Sequence, residues 1–236
     1  ERSCPTTGTS PAHDGPPAMT LPTTTQPTPI DPRLIERVDL LLAAGGRLLG
    51  IAGAPGAGKS TFAQALLRHY GTRAQVLPMD GFHLANEELV RLGRAHRKGA
   101  PDTFDVEGYV ATLQRVLSRE HDVLAPRFVR EIEEPLAGAI RIATTTELVI
   151  TEGNYLLLQH GQWAQVTALL DEAWMLRPND DVRRERLVGR HMAHGRSAAE
   201  AQDWVRTVDE PNARLVAGSS APADVLIDPD DPEAWH

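Results

Sequence analysis

Gly53-Ala54-Pro55-Gly56-Ala57-Gly58-Lys59-Ser60-Thr61 follows the apolar run Leu48-Leu49-Gly50-Ile51-Ala52 and precedes Phe62-Ala63-Gln64-Ala65-Leu66-Leu67. The pattern is a glycine, four residues, then Gly-Lys-Ser, set between a strand-like run and a helix-like one. Glycines let a backbone wrap closely enough to aim amides at phosphate oxygens, and a helix starting near Gly58 adds its N-terminal dipole. Residues 53 to 61 are therefore expected to hold a nucleoside triphosphate. Lys59 would take part in catalysis by neutralising the β- and γ-phosphates, and Ser60 would ligate Mg²⁺. A glycine-rich turn that binds nothing is the alternative.

Working outward, Asp31-Pro32 reads as a helix cap with proline at the first helical position. Leu34, Ile35, Val38, Leu41 and Leu42 continue it at helical spacing until Gly45-Gly46. Gln75-Val76-Leu77-Pro78-Met79 is a strand whose proline cannot donate to a central ladder, which places it at a sheet edge. Asp80 ends that strand. Ligands of open parallel sheets bind beyond the carboxyl ends of the strands, so Asp80 and the phosphate-binding loop are expected to face one crevice. Between Asp80 and Asp105 come a short helix near Asn86 to Leu92 and a basic loop with Arg94, His96, Arg97 and Lys98.

Val106 to Ser118 has amphipathic spacing, and residues 123 to 143 read as short strands and turns. Leu148-Val149-Ile150-Thr151-Glu152 is the pattern of a buried parallel strand delivering an acid to the crevice, which makes Glu152 the second metal candidate. A carboxylate in solvent at a strand end is the plainer reading. Helices follow over Gln162 to Leu170, Asp181 to His194 and Ser197 to about Val208, with strands at Glu172 to Leu176 and Val225 to Ile227. Arg183, Arg186 and Arg190 share one face of the 181–194 helix, either as a charge clamp or as a solvated surface. Strands alternating with helices give an α/β fold around a parallel sheet.

The 236 residues, 41% hydrophobic and 24% charged, suit one soluble domain with a substantial core. We expect a Pro/Thr-rich disordered leader over 1–30, where seven prolines and eight threonines leave little to bury. A single domain over 31–228 and a tail over 229–236 complete the expectation, with Met19 a candidate start. A net charge of −8 disfavours broad nucleic-acid binding. The lone Cys4 fits a reducing compartment, and no run of about 18 apolar residues could span a bilayer. The expected setting is cytoplasmic, the expected partner a small-molecule acceptor with neither nucleic acid nor membrane, and the reading leaves room for a homodimer.

A P-loop leaves kinases, GTPases and motors open, and the chain lacks an Asn-Lys-x-Asp guanine-reading motif. Five blocks narrow the choice: the loop itself; Met79-Asp80-Gly81-Phe82-His83; Arg97-Lys98-Gly99-Ala100-Pro101-Asp102-Thr103-Phe104-Asp105; Thr151-Glu152-Gly153-Asn154-Tyr155-Leu156; and Arg186-Leu187-Val188-Gly189-Arg190-His191. Together they resemble the uridine kinase, phosphoribulokinase and bacterial pantothenate kinase superfamily. The likeness is greatest to its bacterial nucleoside/nucleotide kinase branch, also labelled fructose-transport-associated kinase.

The resemblance implies a three-layer P-loop NTPase fold with helices on both faces of a five-stranded parallel sheet in the order 2-3-1-4-5, and a helical lid. It implies an ATP- and Mg²⁺-dependent kinase acting on a hydroxyl of a nucleoside, sugar, sugar phosphate or pantothenate-like metabolite. Asp80 matches the catalytic base, although an Asx-turn cap is its plainer reading. Glu152 matches the Walker B carboxylate, and Arg186 and Arg190 match the lid contacts to the triphosphate. His83, Arg97, Lys98, Asp105, Arg127 and Arg130 occupy positions resembling the acceptor site. A regulatory nucleotide-binding protein with vestigial ATPase activity is the alternative function. Val129 stands where the branch carries an acid, and the uridine-kinase aromatic and histidine pair is missing. Asp209-Glu210-Pro211-Asn212-Ala213 also resembles a block of the branch, with no evident role beyond ending a helix.

Overall fold

The computed structural model describes residues 30–231, so all but the last residue of the Pro/Thr-rich leader lies outside the described residues. Asp31 caps α1 (Pro32–Ala43) through its side chain and proline holds the first helical position, as the sequence predicts. β1 (Leu48–Gly53) runs into the loop, and α2 (Lys59–Tyr70) leaves it. β2 (Ala74–Pro78) follows, then α3 (Asn86–Arg91) and α4 (Val106–Ser118). β3 (Val123–Val129) and β4 (Glu134–Ile142) pair as an antiparallel hairpin, more regular than the short strands expected over 123–143.

β5 (Leu148–Gly153), α5 (Trp163–Leu169), β6 (Glu172–Leu176), α6 (Asp180–Ala193), α7 (Ala198–Trp204), α8 (Glu210–Ala217) and β7 (Val225–Ile227) complete the chain. The large sheet is parallel, in the order β2-β5-β1-β6-β7. The hairpin takes the numbers 3 and 4. Counted without it, the five strands follow 2-3-1-4-5, and the proline-bearing β2 is indeed at an edge.

Alternation along the central strands divides the core. Leu49 and Ile51 of β1, Leu148 and Ile150 of β5, and Trp174 and Leu176 of β6 pack with α1 and α2. Leu48, Ala52, Val149, Ala173 and Met175 face the opposite layer, where Tyr109 and Leu113 of α4, Trp163 of α5 and Val216 of α8 meet the hairpin's Val123 and Ile142. Both faces of β1 and β5 are buried throughout, which is why these strands read as continuous apolar runs.

The helix expected to stop near Val208 continues. Between α7 and α8 the backbone widens into a π turn, Val205–Asp209, in which the Glu210 amide reaches back to the Val205 carbonyl. Pro211 lies in the first turn of α8. Its missing N–H cannot close an α-helical bond, and the wider turn carries the chain past it instead of ending the helix.

Candidate active site

The carboxyl ends of β1, β2 and β5 open on one cleft of about 730 Å³, lined by Lys59, Ser60, Asp80 and Glu152, by His83 and Arg130, and by Arg190 on the far side. Gly58 has φ +88 and Gly56 φ +80, conformations that L side chains rarely adopt. A Cβ on Gly56 would stand 2.8 Å from Leu187 Cγ and 2.9 Å from the Arg183 carbonyl oxygen, so α6 rests directly on the crest of the loop.

Lys59 Nζ donates to the Ala54 carbonyl at 3.1 Å and to Asn154 Oδ1 at 2.7 Å. Burial lowers its ammonium to about 8, against the opposing pull of Glu152 and Asp80. A proton is thus held loosely until an anion arrives. Ser60 Oγ donates to Glu152 Oε1 at 2.9 Å. Burial, and then the Asp80 charge, push the Glu152 carboxyl above its usual range.

Asp80 sits in a short 3₁₀ turn over Met79–Phe82 at the end of β2. About a third of its side chain meets the cleft, and Oδ2 accepts from Arg130 Nη2 at 3.0 Å. Burial alone would raise this carboxyl. His83, Arg130, Lys59 and Arg190 together outweigh it and leave Asp80 below the usual range, ionised at neutral pH. His83 Nδ1 lies 2.8 Å from the Asp80 carbonyl oxygen. A carbonyl only accepts, so Nδ1 carries a proton. The ring lies 4.0 Å from Phe104 and 4.8 Å from Phe128, and burial holds its pKa down.

The three arginines that share one face of α6, Arg183, Arg186 and Arg190, divide by what they touch. Arg183, read from the sequence as part of a charge clamp or a solvated surface, is 2% exposed. It donates to the Pro55 carbonyl in the loop at 3.3 Å, to Asp180 at 2.9 Å and to Glu210. Arg186 lines the cleft and donates to Asp230 at 2.5 Å. Arg190 lines the cleft, and its guanidinium makes no hydrogen bond or ion pair among the described residues. Burial, and then the Arg130 charge, lower its pKa, against the opposing pull of Asp209, Asp80 and Glu133.

The expected acceptor residues also divide. His83, Lys98 and Arg130 line the cleft. Lys98 Nζ donates to Asn86 Oδ1 at 2.6 Å and to the Glu133 carbonyl. Arg97 instead pairs with Asp102 at 2.6 Å inside its own loop. Asp105 is an exposed cap of α4, accepting from the Gly108 amide at 2.9 Å. Arg127 points to solvent from β3, and none of these three is on the cleft wall. Asn154, Asp209, Asn212 and Trp204 are on that wall, although sequence reasoning assigned them no part. The signal for Asn154 and for Asp209 to Asn212 was present in blocks already noticed.

The donor set of Ser60 and Glu152 is all oxygen, which suits a hard cation that takes its remaining ligands from phosphates and water. No group of three or more Asp, Glu, His or Cys that could cage a metal occurs among the described residues.

No family model matches the chain. A protein named as a candidate uridine kinase, C227.14 of Schizosaccharomyces pombe, is 34% identical over 204 residues, covering 80% of this chain and 86% of its own. This chain belongs to the uridine kinase, phosphoribulokinase and bacterial pantothenate kinase superfamily. The crystal structure of a candidate fructose transport system kinase from Silicibacter sp. TM1040 superposes on this kinase with a TM-score of 0.68. It is 38% identical over 77% of this chain and 89% of its own. Escherichia coli YggC is 33% identical over 77% of each chain. The kinase is a small-molecule phosphotransferase of the branch to which these relatives point. Among its described residues no helix is long and apolar enough to cross a membrane.

Proposed function

We propose that this kinase transfers the γ-phosphate of ATP to a hydroxyl of a small metabolite held between Asp80 and the wall formed by Asp209, Asn212 and Trp204. The observation that carries this reading is the convergence of Lys59, Ser60, Glu152, Asp80 and Arg190 on one cleft of about 730 Å³. That space suits a triphosphate chain and a modest acceptor. A second cavity of about 280 Å³, lined by Phe62, Arg68, Arg186 and Pro229, adjoins the start of α2 and suits a purine base.

In this reading the amides of residues 53 to 61 cradle the phosphates, and Lys59 gains the charge its burial discourages. Ser60 and Glu152 would hold Mg²⁺, which supplies neutralisation of the phosphate charge when bound. Asp80, ionised and oriented by Arg130, accepts the proton of the attacking hydroxyl. Arg190 meets charge developing on the transferred phosphoryl group. The basic groups His83, Lys98 and Arg130 favour an acceptor that is polar or anionic, in the range from nucleosides and sugars to sugar phosphates and pantothenate-like acids.

Incubation of the protein with ATP, Mg²⁺ and a library of hydroxylated metabolites, read by mass spectrometry, tests the proposal. A species gaining one phosphate with wild type but not with Lys59→Ala is expected. ATP hydrolysis with no phosphorylated acceptor across the library would count against it.

A further inference from the structure

The segment Asp209-Glu210 acts on α6 at two points. Glu210, the first residue of α8, accepts from Arg183 Nη2 and, at 3.2 Å, from Arg184 Nη2, both at the base of α6. Asp209, its neighbour, accepts from His191 Nε2 at 2.8 Å, two turns further along α6. In a regular helix adjacent side chains diverge by about 100°. The π turn over Val205–Asp209 immediately precedes Glu210 and alters that relationship. Asp209 is 6% exposed and Arg183 2%, so the two ties lie largely out of water.

Between the tied positions lies Arg190, whose guanidinium has no hydrogen-bonded partner among the described residues and lines the cleft beside Asp80 and Lys59. Through Arg183 the Glu210 carboxylate is also linked to the Pro55 carbonyl of the phosphate-binding loop. We infer that Asp209 and Glu210 form a strap that fixes the register of α6 on the loop, and that Glu210 is a positioning residue setting where Arg190 meets the terminal phosphate. Glu210 does not touch the nucleotide. Its effect passes through Arg183 and α6.

The inference rests on the reading of Arg190 as a γ-phosphate contact, and the test separates the two. The measured quantity is the ratio of affinities for Mg²⁺-AMPPNP and Mg²⁺-ADP, by calorimetry, in wild type, Arg190→Ala, Glu210→Ala, Glu210→Gln and the Arg190→Ala/Glu210→Ala double variant. Thermal melting of each variant reports whether it is folded.

Wild type is expected to prefer the triphosphate analogue. Arg190→Ala should abolish that preference and Glu210→Ala should reduce it at least threefold. Glu210→Gln, which keeps an acceptor oxygen, should lose less. The double variant should match Arg190→Ala alone, because Glu210 works through Arg190. Equal weakening of both nucleotides by Glu210→Ala, or a loss that adds fully to that of Arg190→Ala, would overturn the strap while leaving the Arg190 contact standing. No effect of Arg190→Ala on the ratio would remove the contact itself and the strap's purpose with it. If Glu210→Ala fails to fold, an unchanged ratio in a folded Glu210→Gln and in Asp209→Asn overturns the inference.

Discussion

The Arg130 guanidinium donates to Asp80 Oδ2 at 3.0 Å. Arg130 arrives at the tip of the β3–β4 hairpin, whereas Asp80 ends β2. The pair therefore exists only because the hairpin folds back over the 3₁₀ turn, where a Cβ on Gly81 would stand 2.3 Å from the Pro126 carbonyl oxygen. The contact leaves Asp80 oriented and ionised in surroundings that would otherwise favour its protonation.

Replacing the proposed base, Asp80, while keeping its shape isolates its chemistry. Asp80→Asn is expected to lower phosphoryl transfer by about 10²- to 10⁴-fold, with ATP affinity little changed, since no phosphate contact is assigned to Asp80. Single-turnover transfer and nucleotide titration together check this. A parallel loss of ATP affinity would remove Asp80 from the role of base.

Arg130→Ala should move the acid limb of the pH–rate profile. A base works only while ionised, so activity falls as pH drops through the Asp80 pKa in the folded enzyme. Arg130 is among the charges that lower that pKa, and its removal should shift the limb to higher pH. Transfer rates measured across the acid range decide the point, and an unmoved limb would show that Arg130 does not tune Asp80.

ATP affinity should weaken above the free-enzyme pKa of Lys59. That ammonium titrates at about 8 in the free protein, and a bound triphosphate favours the charged form and raises it. Binding above pH 8 therefore takes up a proton, and by linkage the dissociation constant should rise towards tenfold per pH unit until the pKa of the complex is reached. Below pH 8 this contribution is absent. Calorimetry in buffers of different ionisation enthalpy would reveal the proton uptake, and Lys59→Arg should remove it.

Gly56→Ala should damage nucleotide binding. The added methyl meets Leu187 and the Arg183 carbonyl, and φ +80 strains any L residue there. We expect at least tenfold weaker ATP binding, about 1.4 kcal/mol, because either the loop crest or α6 must retreat. Affinity unchanged from wild type would mean that α6 yields without disturbing the loop.

Much of the donor half was legible in the chain itself. The phosphate-binding loop, the apolar strand before it and the helix after it are set by short-range pattern, in which glycine φ, strand burial and helix propensity act over a few residues. The edge position of β2 followed from one missing N–H at Pro78, and the capping of α1 from Asp31-Pro32. Asp80 and Glu152 were found because strand ends in a parallel sheet converge by topology.

The sequence by itself determined the fold class and the donor side of the cleft, since each depends on local periodicity or on connectivity. Only the tertiary structure decided what the remaining charged residues do. Arg183, Arg186 and Arg190 share a helical face, yet one braces the loop, one meets Asp230 and one stands free in the cleft. Asp105 lies in the basic-loop block, yet it caps a helix. Pro211 reads as a helix stop, yet a π turn carries the helix past it and brings Asp209, Glu210 and Asn212 against α6 and the cleft. These outcomes turn on which group lies within about 3 Å of a side chain's end, and a partner separated by up to about 130 residues leaves no trace in local spacing.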